Sequence, residues 1–201
     1  MSRTANHRPF RLLWTIPVLA IVALAAAQHP LGPPVHFAGL VNDYTPSNVT
    51  GGPYEMRGIW SLDIFHNYAD FTVTMNMETS DYGVTTGVVT PTLPPTRGAH
   101  THTISLTHAS LSTDTSHCPV YNPATTGPVI VVTGQPQIIT GNGGPAPFQL
   151  KGNSTLWVCL AGGVDIPFSN LAFTFTDGPA TGHFGTYAIH GAVLPPQNKD
   201  H

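Results

Sequence analysis

Hydrophobic and polar positions alternate with a period of two at many places along this chain. The cleanest run sets Phe71, Val73, Met75 and Met77 between Asp70, Thr72, Thr74, Asn76 and Glu78. One face is apolar and the other polar, the signature of a strand with one side in a core. Trp60, Leu62 and Ile64 predict a second strand, with Gly58 as a candidate bulge before it. Leu171, Phe173 and Phe175 predict a third, and Leu156, Val158 and Leu160 a fourth. Shorter β-rich runs lie at Val35–Val41, Tyr82–Val89, Val129–Thr133 and Gln137–Thr140.

Proline and glycine clusters separate these runs: Thr50 to Pro53, Pro91 to Pro95, Gly127-Pro128, Gly141 to Pro147 and Asp177 to Pro179. Such clusters end strands and set turns. No long window beyond residue 27 repeats at 3.6, and the 18 prolines there would interrupt one. The pattern predicts an all-β fold, a single antiparallel β-sandwich or β-barrel of about eight to ten strands. Periodicity alone does not separate sandwich from barrel.

The N-terminus follows a different rule. Arg3, Arg8 and Arg11 precede an uncharged stretch, Leu12 to Ala27. As a helix that stretch would reach about 24 Å, short of a bilayer core of about 30 Å. Small residues at Ala25 and Ala27 suit signal peptidase. The reading is a signal peptide at 1–27, cleaved before Gln28. An extended Pro-rich lead-in at 28–34, an all-β domain at 35–195 and a polar tail at 196–201 follow. The expected location is the periplasm or the extracellular space, with no stable membrane anchor after cleavage.

Cleavage changes the charge balance. Residues 28–201 keep four basic side chains, Arg57, Arg97, Lys151 and Lys199, against all ten acids, a net charge of −6 with His neutral. Phosphate recognition needs several Lys or Arg contacts, so nucleic acid is excluded as a partner. Cys118 and Cys159 are the only cysteines, and outside the cytoplasm such a pair is expected to be a disulfide. Asn48-Val-Thr50 and Asn153-Ser-Thr155 match the N-glycosylation pattern.

Candidate chemistry concentrates in the histidines. In Gly98-Ala-His100-Thr-His102-Thr-Ile104-Ser-Leu106-Thr-His108, a strand would turn His100 and His102 to the same inward face as Ile104 and Leu106. Histidines at i and i+2 on a strand suit two ligands of one metal ion, Zn or Cu by ligand type. His183 and His190 come late in the chain, seven residues apart. On one unbroken strand they would face opposite ways, and a bulge at Gly185 would align them. Either could then join His100 and His102. His108 and His117 have polar surroundings and read as surface or loop residues. The Met75/Met77 thioethers would suit Cu(I), but their line with Phe71 and Val73 reads as core packing.

Gly98-Ala-His100-Thr-His102 resembles the Gly-x-His-x-His of copper/zinc superoxide dismutases, and a His-x-His strand resembles the cupins. The first family needs a bridging His, yet none lies between Cys118 and Cys159. The second needs a Glu soon after the pair, and Thr103 to Leu111 contains no acid. The chain is assigned to neither. No Gly-x-Ser-x-Gly elbow, phosphate-binding Gly-Lys loop or dinucleotide fingerprint is present. Three functions fit these residues: a module binding a metal ion or small ligand, a metal-dependent enzyme, and a structural or surface-interaction protein with incidental histidines. The catalytic residues, the ligand and the oligomeric state are not legible in the sequence.

Overall fold

The computed structural model describes residues 34–195 except 47, 50–52, 80–81, 86–87, 92–98, 120–126, 152, 164 and 167. The segments read as signal peptide, most of the lead-in, and the tail lie outside the described residues. The long alternating runs become strands β1 (Val35–Tyr44), β2 (Tyr54–Ile64) and β3 (Tyr68–Thr79). A small hairpin, β4 (Tyr82–Thr85) and β5 (Val88–Pro91), precedes β6 (His100–Ser112). Then come β7 (Ile130–Gly134), β8 (Gln137–Thr140), a 3-10 turn at Pro147–Lys151, β9 (Leu156–Ala161) and β10 (Asn170–Phe175). A one-turn helix α1 (Thr181–Phe184) and β11 (Ile189–Val193) complete the order.

Strands β1, β2, β3, β6, β7, β9, β10 and β11 each pair antiparallel with the next, and β11 pairs back onto β1. The sheet therefore closes into an eight-stranded up-and-down barrel, which leaves no edge along its main wall. The sandwich alternative is removed by that closure, through pairs such as Gly39 with Val193. Inward residues fill the interior. Phe71, Phe173, Leu62, Leu156, Leu160 and Ile104 are fully buried, and Phe71 meets Phe173 at 5.9 Å across the core.

Two departures from regular pairing decide where side chains point. The register between β3 and β6 shifts between Ala69 and Phe71, opposite His108. His108 adopts φ 53 there and donates its backbone N–H to Asp70 Oδ1 at 2.7 Å. This bulge takes up one residue, so Ala109 turns inward while His108 stays exposed on the outer wall. Gly58, expected as a bulge, is not one: β1, β2 and β3 run in unbroken register through it. Its role is close approach, since a Cβ there would meet the Thr74 carbonyl oxygen at 2.1 Å.

At one end of the barrel the wall parts. β7 pairs with both β6 and β9, whereas β8 pairs with β6 at His102 to Ser105 and otherwise bridges only to Pro145 in the turn that follows it, among the described residues. Gln135-Pro136 separates β7 from β8, and proline has no N–H for a ladder. This end also holds the start of β6, the end of β3 and the connection from β10 to β11. On the outer wall, Cys118 and Cys159 form a disulfide with Cα atoms 5.7 Å apart. It pins the segment after β6 over Val131 and Cys159, with Trp157 and Val129 beside them, as a small second core.

Candidate metal centre

The parted end of the barrel gathers three histidines. His100 and His102 project inward from the first turns of β6, His102 only 2% exposed. The third, His183, comes from α1 rather than from a strand. The sequence left open whether 182–191 runs as an unbroken strand or as one bulged at Gly185. The segment instead forms α1, stops at Gly185 with φ 83, and resumes as β11. Gly-Pro and Gly residues around His183 favour a tight turn over an extended run. A Cβ at Gly185 would add strain at that φ and meet Pro46 at 2.8 Å.

Packing fixes α1 over the mouth. Phe184 is fully buried and stacks on Phe175 with ring centroids 4.9 Å apart. The preceding residues are tied to the start of β9: the Ala180 N–H donates to the buried Ser154 Oγ at 2.9 Å. Asp177 accepts from both the N–H and the hydroxyl of Thr155. His183 then lies against Tyr54, Phe148 and the two β6 imidazoles. Ring contacts from Phe148 and Phe184 close the His102 side.

Within this aromatic box, His183 Nε2 stands 3.0 Å from His100 Nε2 and 3.1 Å from His102 Nε2. A ring nitrogen carries one proton or one lone pair, so His183 Nε2 can satisfy only one of these neighbours by hydrogen bonding. A tetrahedral ion about 2.0–2.1 Å from each nitrogen would space them about 3.3 Å apart. The two separations to His183 are a little shorter than that spacing, and the three donor atoms together lie within 4.8 Å of one another.

Electrostatics favour neutral rings ready to ligate. Burial lowers the pKa of His102 from 6.5 to about 4, with His100 adding to the drop. Burial likewise lowers His183 to about 4, helped by His102 and then His100. The Ile139 backbone beside His102 partly opposes the shift, while the buried Nδ1 of His102 makes no hydrogen bond of normal geometry. An Nδ1–H turned toward a backbone carbonyl is the usual support for a histidine that ligates through Nε2.

The remaining candidates lie elsewhere. His190 sits on the outer face of β11, where its N–H and ring both bond Asp43 Oδ2, at 2.7 and 2.9 Å. It is not brought to the cluster. His108 stacks on Tyr68, and His117 packs on Trp157 beside the disulfide. Tyr54, Phe148 and Phe184 belong to the site's walls and carried no signal in the sequence, since apolar aromatics near turns are common. Among the described residues, no carboxylate or thiol joins the three-histidine group. Fold and site together define an eight-stranded up-and-down barrel with a histidine cluster at its mouth. Comparison with protein-family models, with characterised proteins and with solved structures finds no match for this chain.

Proposed function

We propose that this protein is an exported metal-binding module holding one transition-metal ion through Nε2 of His100, His102 and His183. The observation that carries the reading is the convergence of three imidazole nitrogens, two of them 3.0 and 3.1 Å from the third. As a mere neighbour, His183 Nε2 could hydrogen-bond only one of the two imidazole nitrogens beside it. An ion would satisfy all three at once. The open coordination position would take water or a small ligand.

Binding is favoured over catalysis because no carboxylate joins the group among the described residues, so a hydrolytic or oxygenase role lacks a neighbouring base. The disulfide supports an oxidising destination, in keeping with the leader read at Arg3 to Ala27. The test is metal analysis of the purified exported protein beside a His100→Ala/His102→Ala variant. About one equivalent of copper or zinc in the wild type, lost from the variant, supports the proposal. Absence of metal from the wild type after incubation with either ion overturns it.

A further inference from the structure

Methionines stand beside the histidines in the neighbouring strands. Across β3 and β6, Met75 pairs with His102 and Met77 pairs with His100. On β2, Met56 pairs with Met77. All three methionines are fully buried and belong to the main core. The chain holds four methionines, and the fourth is Met1. Every internal methionine therefore stands on two adjacent strands, in the rows that end at His100 and His102. The rest of the main core is filled chiefly by Phe, Leu, Ile, Val and Ala, with Tyr54 and Trp60. Methionine used only to fill gaps would be scattered through the core.

From this arrangement we infer that the ion is copper, bound as Cu(I), with a thioether of the Met75/Met77 pair taking the fourth position of the histidine site. The inference rests on the three-histidine reading above and names its metal. Directly opposed residues on antiparallel strands have Cβ atoms about 4.5–5.5 Å apart, within reach of a methionine sulfur for an ion held by the neighbouring imidazole. Soft thioethers favour Cu(I), while zinc gains little from them. Charge points the same way. Imidazole and thioether ligands cancel none of the ion's charge, and desolvation cost rises as the square of that charge. A monovalent ion entering this aromatic box costs about a quarter of what a divalent one would.

The experiment compares Cu(I) and Zn(II) affinities of the full protein, the first by competition with a Cu(I) chelator under anaerobic reducing conditions. It uses wild type, Met75→Leu/Met77→Leu and His100→Ala/His102→Ala. Met→Leu conserves core volume and is well tolerated. The expected result is one tightly bound Cu(I), at least 100-fold weaker in the methionine variant, whose Zn(II) affinity changes less than about threefold. X-ray absorption on the copper-loaded wild type reads the same claim without any variant, through a sulfur shell beside the nitrogen shell. Unchanged Cu(I) affinity in the leucine variant, or a nitrogen-only shell, overturns the copper–methionine assignment while leaving the histidine site standing. If wild type binds neither ion, the histidine reading falls and this one falls with it.

Discussion

Acidifying the metal-free protein should destabilise it through His102 and His183. In the folded chain both rings stay neutral until the pH nears 4, because burial penalises the charged form. Once unfolded, the same rings take up protons from about pH 6.5 downward. The unfolded chain thus binds more protons between about 6.5 and 4, so stability is complete above that window and is lost as pH falls through it. Moving from pH 7.5 to 4.5 costs about 2.5 kcal/mol per ring from the pKa values alone. The rings interact, and His183 at the mouth is only partly buried, so about 1.5 kcal/mol each, near 3 for the pair, is the realistic size. The assay is urea denaturation after chelation, at both pH values, for wild type and His102→Gln/His183→Gln. The ten acids titrate in both proteins, so the difference between them isolates the imidazoles. The variant should lose about 3 kcal/mol less than wild type on acidification. Parallel losses would show that the rings are solvated, and the dry-cluster argument would fail.

Other expectations follow from the same structure. Metal loading should resist acid further than at an exposed histidine site, because His102 and His183 take up protons only as the pH nears 4; release at the same pH as from an exposed histidine site, followed by metal-sensitive absorbance, would contradict it. Ser154→Ala should cost about 1–2 kcal/mol, since it strands the Ala180 N–H. By loosening α1 it should also weaken metal binding several-fold, and unchanged affinity by calorimetry would mean that α1 is held without it. Gly185→Ala should act on the same element through strain at φ 83, read as a fall in both Tm and metal affinity. Replacing Cys118 and Cys159 by Ser should cost about 4 kcal/mol by the chain-entropy relation for a separation of 41. Metal affinity should survive, because the bridge lies on the outer wall. Thiol titration of the denatured, unreduced wild type should find none.

The strands and half of the site were legible because they obey local rules. Alternation along β6 places His100 and His102 inward whatever lies across from them, and the same rule located β2, β3, β9 and β10. Closure was not legible, since it depends on β11 meeting β1 from opposite ends of the domain. His183 was a candidate from the sequence, but the choice between it and His190 was not legible, because a four-residue helix carries no period and its position is set by Phe184 packing on Phe175. Facing of Met75 and Met77 to the histidines required the β3–β6 register, which a long connection hides. Parity also fails at bulges: His108 continues the i, i+2 series from His102 but turns outward where the ladder shifts.

The central claim is that one transition-metal ion sits among three imidazoles at the barrel mouth. A crystal structure of the metal-loaded protein, with diffraction measured on both sides of the metal's absorption edge, tests it directly. The account predicts one anomalous peak about 2.0–2.1 Å from Nε2 of His100, His102 and His183. A peak at the outer histidines His36, His117 or His190 with none at the mouth would contradict it.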